Sequence, residues 1–200
     1  MKELFLNKTI SALTKQYNYD SDTLDRVKYG LEVIYLNVTK ILAILLFSIL
    51  FKSFKETILL VIFVNFLRMY AYGLHAKKSW HCYLSSTLCF VLIPKIFISI
   101  KISIIEKILV SFICYIWYIL YAPADTFKRP LINKEHRQKL KIETIIVTSI
   151  YVILLFLIND QYYSNLILLS LIIQSILINP IIYKLFDLPY QNYKSYKSAA

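Results

Sequence analysis

The sequence predicts an all-α, polytopic integral membrane helical bundle, and three observations predict it. Hydrophobic residues make up 58% of the 200, more than a soluble domain of this length can hide, so lipid must serve as solvent. The apolar residues fall in long runs divided by short polar stretches. The net charge of +11 gathers mostly in the connections, as expected when basic residues set membrane orientation. The length fits one domain, residues 1–200.

Taken in order, residues 1–20 come first. Leu6, Ile10, Leu13 and Tyr17 recur at helical spacing, with Lys2, Lys8 and Lys15 on other faces. The stretch is too polar to span. It reads as an amphipathic helix that lies on the membrane surface or packs on the rest of the protein. Ser21-Asp22-Thr23 supplies capping residues for the next helix, with Asp25 in its first turn.

Apolar segments follow near 33–51, 57–72, 83–100, 106–121, 142–158 and 162–183. A span needs roughly 20 apolar residues, so the second and fourth are short. Pro94 and Lys95 interrupt the third, and Pro180 kinks or ends the sixth. About six membrane segments is the primary reading, with four spans plus re-entrant pieces as the alternative. From about 190 to 200 the chain is polar and reads as a mobile tail.

In the six-segment reading the termini, the 73–82 connection and the 122–141 connection share one side. That side holds Lys77, Lys78, Lys128, Arg129, Arg137 and Lys184, among others, and is expected to be cytoplasmic. So much charge on so apolar a chain points to anionic headgroups or an acidic substrate. No nucleic-acid-binding signature is present. Three cysteines fit no disulfide framework, so reduced thiols are expected. Lys40, Asn65, Lys95 and Gln174 are candidates to face the bundle interior. For Lys40 and Lys95, snorkelling to an interface is the favoured account.

The stretch from Arg68 to Cys82 stands out as a basic, aromatic, polar island. It holds His75 and His81 and one of the two glycines, Gly73. A thiol of pKa about 8.5 becomes reactive beside cations or histidine. Cys82 has His75, Lys77, Lys78 and His81 close in sequence, whereas Cys89 and Cys114 lie inside apolar runs. His81 adjoins Cys82 but points about 100° away on a helix, which makes it the weaker alternative base. Cys82 is therefore the candidate nucleophile and His75 the favoured base. On one continuous helix these two would sit about 10 Å apart along the axis. A base must approach its nucleophile to about 3 Å, so the chain between them has to turn. Gly73 eases such a break. A zinc site from His75, His81, Cys82 and Cys89 matches no usual ligand spacing, so no metal and no cofactor is expected. His136, in a charged connection, reads as solvated.

A second distinctive stretch runs Tyr121-Ala122-Pro123-Ala124-Asp125-Thr126-Phe127-Lys128-Arg129-Pro130. Physics alone reads it as a stiff, positive turn at the membrane exit. Together, Gly73-Leu74-His75-Ala76 with Cys82 seven residues after the histidine, and this proline-bracketed stretch, resemble the accessory gene regulator B (AgrB) family. Tyr29-Gly30-Leu31-Glu32 is also similar to the family pattern, and the likeness covers nearly the whole chain. Many members have a glycine pair where this chain has Tyr72-Gly73, and often a lysine where it has Arg129.

The resemblance implies a membrane-embedded cysteine endopeptidase that processes a quorum-sensing peptide precursor, with Cys82 as nucleophile and His75 as base. Arg68 and Gly73 fall at positions that the family pattern marks, and both are expected to support the site. Asp125, Lys128 and Arg129 are expected to support it or bind substrate. The implied partners are a short precursor peptide with an amphipathic helix, an internal Cys or Ser and an acidic tail; the lipid bilayer; and a second copy in a homodimer. No nucleic-acid partner is expected. The competing class is a small polytopic transporter or peptide exporter without proteolytic activity. Scarce glycine, small size and the lack of a visible inverted repeat weigh against it.

Overall fold

The computed structural model describes residues 2–16, 20–74, 79–126 and 130–197. These residues are 81% helical, with no strand among them. The helices are α1 (Lys2–Gln16), α2 (Ser21–Leu50), α3 (Phe54–Ala71), α4 (Ser79–Thr87), α5 (Ile93–Phe97), α6 (Ile104–Tyr121), α7 (Lys134–Leu157), α8 (Gln161–Ile178), α9 (Pro180–Leu185) and α10 (Tyr193–Lys197). A π-helical turn, Leu88–Leu92, joins α4 to α5. All six apolar segments are helical. Four helices are long and apolar enough to cross a membrane: α2 from Thr23, α6, α7 and α8.

Local chemistry sets the helix boundaries. Ser103 and Glu106 form a reciprocal capping box at the start of α6. Asn133 Oδ1 caps α7 by accepting from Glu135 N and His136 N. Asp160 Oδ1 does the same for α8 from Tyr162 N. The sixth apolar run divides where Pro180 cannot continue a helix. Asn179 ends α8 and caps α9, with Pro180 at the first helical position. Pro94 acts differently. It removes one N–H and crowds the preceding turn, and the chain widens into the π turn rather than breaking.

α8 is the hub. Two thirds of its apolar window (67%) is buried, against 12% for α2, so α3, α6 and α7 surround α8 while α2 lies at the rim. The core packs Leu67 and Ala71 of α3, Cys114 and Tyr118 of α6, Tyr151 and Leu155 of α7, and Leu168 and Leu171 of α8. With lipid outside, such helices associate through close packing and interhelical hydrogen bonds. Tyr151 Oη donates to the Phe63 carbonyl at 2.9 Å, Tyr118 Oη to the Leu171 carbonyl at 3.3 Å, and Lys107 Nζ to Ser164 Oγ at 2.8 Å. α1 lies along α2, with Leu6 buried and Phe5 and Tyr35 in ring contact at 5.4 Å.

Of the polar residues expected inside, Gln174 is fully buried. Asn65 is exposed instead and donates to the Val61 carbonyl of its own helix at 2.8 Å, so its need is met locally. Lys95 Nζ donates to the Phe51 carbonyl at 2.6 Å, where α2 leaves carbonyls unpaired at its C-terminus. That contact belongs to the bundle end formed by residues 51–53, 95–103 and 160–165. The other end gathers residues 71–74, 122–126, 177–183 and 190–193.

Candidate active site

α3 ends because Tyr72 takes a positive φ of 57°, with ψ −135°. Gly73 follows at φ +124°, a region L side chains rarely enter. A Cβ there would also meet the Leu177 carbonyl oxygen at 3.0 Å. Backbone geometry and close approach both demand glycine.

The short segment beyond α3 is held from three directions. Tyr72 and Ala124 form a single parallel β-bridge. In it Gly73 N donates to the Ala124 carbonyl at 2.9 Å, and Ala124 N to the Ala71 carbonyl at 3.0 Å. From α8, the Leu177 carbonyl accepts from Leu74 N at 2.9 Å, and the Gln174 carboxamide donates to the Tyr72 carbonyl. From α3 itself, Arg68 Nη2 donates to the Leu74 carbonyl at 2.7 Å.

His75, Lys77 and Lys78 lie outside the described residues, as do Lys128 and Arg129. Cys82 lies in α4, in the helix that opens at Ser79, and only its backbone is described. The chain leaves helical geometry at Tyr72, and the described part of α4 begins at Ser79. The described break in the helix, residues 72–74, lies ahead of His75, and the stretch from 75 to 78 that links it to α4 lies outside the described residues. Of the other thiols, Cys114 is buried and accepts from Ser175 Oγ at 3.5 Å, while Cys89 is partly buried in the π turn.

Asp125 turns inward and is 2% exposed. Its Oδ1 accepts from Asn192 N at 2.9 Å and Asn192 Nδ2 at 3.4 Å. Its Oδ2 accepts from Tyr193 N at 2.9 Å and Leu131 N at 3.4 Å. The carboxylate thus clasps the C-terminal segment to the α6–α7 connection. Tyr183 Oη donates to the Asp125 carbonyl at 3.0 Å, and the Tyr190 ring stands edge-on to Tyr183. Burial, reinforced by the nearby Asp125 carboxylate, raises the Tyr183 phenol above its ordinary range. Arg137 completes the clasp. Its guanidinium lies 4.0 Å over the Tyr193 ring and donates to the Leu131 and Ile132 carbonyls. The stretch expected as a mobile tail is tied down at Asn192 and Tyr193. Nothing local in the sequence signals either contact, because the partners are 67 and 68 residues apart.

A family model, Accessory gene regulator B, matches residues 6–178, which include Arg68, Gly73, His75, Cys82 and Asp125. The chain belongs to the accessory gene regulator B family. An AgrB-like protein of Listeria innocua is 37% identical over 180 residues, covering 89% of this chain and 87% of that protein. The accessory gene regulator protein B of Staphylococcus carnosus is 35% identical over 162 residues, 81% of this chain and 84% of that protein. An AgrB-like protein of Clostridium acetobutylicum is 32% identical over 189 residues, 92% and 88% of the two chains. No solved structure matches.

Proposed function

We propose that this chain is a membrane-embedded cysteine endopeptidase that processes the precursor of a quorum-sensing peptide. The observation that carries the reading is the family match across residues 6–178, which supports a role in accessory gene regulator peptide processing. The non-helical residues 72–74 part His75 from α3, and on this reading the chain beyond them turns so that His75 meets Cys82.

His75 takes the Cys82 thiol proton, and the thiolate attacks a peptide carbonyl of the precursor. The C–N bond breaks, the C-terminal part leaves as an amine protonated by His75, and an acyl thioester remains on Cys82. A cysteine or serine inside the precursor then attacks the thioester, closes the ring as a thiolactone or lactone and restores the Cys82 thiol. Exchange of one thioester for another roughly conserves acyl-transfer potential, so thiolactone closure needs no ATP. Water must be kept from the intermediate, and surrounding helices and lipid supply that exclusion.

Arg68 acts as a positioning cation, since guanidinium stays protonated. Lys128 and Arg129 attract the acidic tail of the precursor, and the bilayer concentrates its amphipathic helix. The basic bias places the termini and the catalytic segment at the cytoplasmic face of the cell membrane. A homodimer is the assembly we favour. The test uses membranes containing the protein and a precursor peptide, read by mass spectrometry. Cys82→Ala and His75→Ala should insert normally and release no C-terminal fragment. Full cleavage by either variant sinks the assignment.

A further inference from the structure

The break at the end of α3 leaves the Tyr72 carbonyl without the helical donor it would otherwise have. Its donor comes from 102 residues away, the fully buried carboxamide of Gln174 on α8. Leu177, one turn further along α8, accepts from Leu74 N at 2.9 Å. One face of α8 therefore holds the chain on both sides of Gly73. Among the described residues Oε1 of Gln174 accepts no hydrogen bond, so only the donor half of the amide is engaged. A buried carboxamide in a lipid-solvated bundle is costly unless its bonds are needed. The Gly73 and Leu74 amides are held by main-chain oxygens, which survive side-chain replacement. Of the bonds to the Tyr72–Gly73 peptide, the one to its carbonyl comes from a side chain.

We propose that Gln174 is a positioning residue for the His75–Cys82 site. By fixing the Tyr72 carbonyl it sets the direction in which the chain leaves α3 for His75. The inference rests on the dyad reading above. Tyr72 lies three residues before His75, so a small rotation there is carried along the segment. A misplacement of about 1 Å at a catalytic group costs up to roughly a hundredfold in rate.

The experiment measures precursor cleavage and the rate of Cys82 alkylation in Gln174→Leu, Gln174→Met and Gln174→Glu, with Cys82→Ala as control. Leu and Met fill the space without donating. Both should lower kcat by about ten- to a hundredfold with KM within about twofold. Cys82 alkylation at neutral pH should slow as the thiol loses its base. Glu in this buried place is protonated more readily than in water and can then donate. Gln174→Glu should therefore recover activity, relative to the unsubstituted protein at the same pH, as pH falls. Wild-type kcat and alkylation in Gln174→Leu, with Cys82→Ala inactive, overturns the positioning role and leaves the dyad standing. Cleavage by Cys82→Ala overturns the dyad reading itself. Should Gln174→Leu not accumulate in membranes, Gln174→Met decides on the same readouts.

Discussion

Removing the Asp125 carboxylate should free the C-terminal segment and leave the helical bundle in place. Four nitrogens donate to the two oxygens, at 2.9 Å from Asn192 N and Tyr193 N and at 3.4 Å from Leu131 N and Asn192 Nδ2. Asn192 and Leu131 are each 6% exposed, so water cannot readily replace the carboxylate there, whereas Tyr193 is half-buried and can rehydrate. An orphaned buried amide costs about 1–3 kcal/mol. Two such amides, one of them in a long bond, put the local loss in Asp125→Ala at about 2–4 kcal/mol. Asp125→Asn keeps one acceptor oxygen but turns an NH2 toward donors, for a loss of about 1–2 kcal/mol. Hydrogen exchange on the detergent-solubilised protein reads this directly. At about 1.4 kcal/mol per tenfold, exchange at the Asn192 amide should accelerate about 30- to 700-fold in Asp125→Ala and about 5- to 30-fold in Asp125→Asn. Segments within α8 should exchange as before. Unchanged exchange at Asn192 in Asp125→Ala, or equal acceleration throughout α8, refutes the clasp.

Two further outcomes follow from the same end of the bundle. Gly73→Ala places a Cβ 3.0 Å from the Leu177 carbonyl oxygen at φ +124°, which should cost about 1–3 kcal/mol. It should lower the thermal unfolding temperature and slow precursor cleavage; an unchanged melt would show that the close approach relaxes without strain. Tyr183 lies beyond the end of α8, outside the spans, and its folded-state pKa is raised by burial, then by Asp125. The folded protein holds that proton more tightly than the unfolded chain. The phenol's contribution is therefore fully present below about pH 10 and is lost as pH rises through the folded value. Alkaline titration followed by phenolate absorbance should show one fewer late-titrating tyrosine in Tyr183→Phe, and an identical late phase would contradict the burial argument.

The sequence showed most where physics is local. Helical periodicity and apolar run length located all six long segments. Ser103 and Glu106 announce their capping box, and Pro180 announces the end of α8. Arg68 and Gly73 were legible as members of one polar island, although their reasons for being there, the Leu74 carbonyl and the Leu177 approach, were not. What stayed hidden depends on long-range pairing. From the sequence Asp125 is expected to support the site or bind substrate; its part as a clasp stayed hidden because its partners come from the far end of the chain. Nothing near Lys107 in the sequence signals that it is 9% exposed and donates to Ser164 of another helix. Asn65 read as interior because its own helix supplies an acceptor that composition does not reveal. The start of α2 at Ser21, well before its apolar part, shows that a helix continues past the lipid-matched residues when its polar turns are packed.

The π turn between α4 and α5 acts as a phase adjuster. Ile93 N bonds to the Leu88 carbonyl five residues back, so the turn holds one residue more than an α-helical turn. Each residue advances a helix by about 100°. Everything on the N-terminal side of the turn, including the backbone of Cys82, is therefore rotated by about that angle from the register that Ile93–Phe97 would impose on an unbroken α-helix. Pro94, which forces the widening, thus sets the azimuth of Cys82 from twelve residues away.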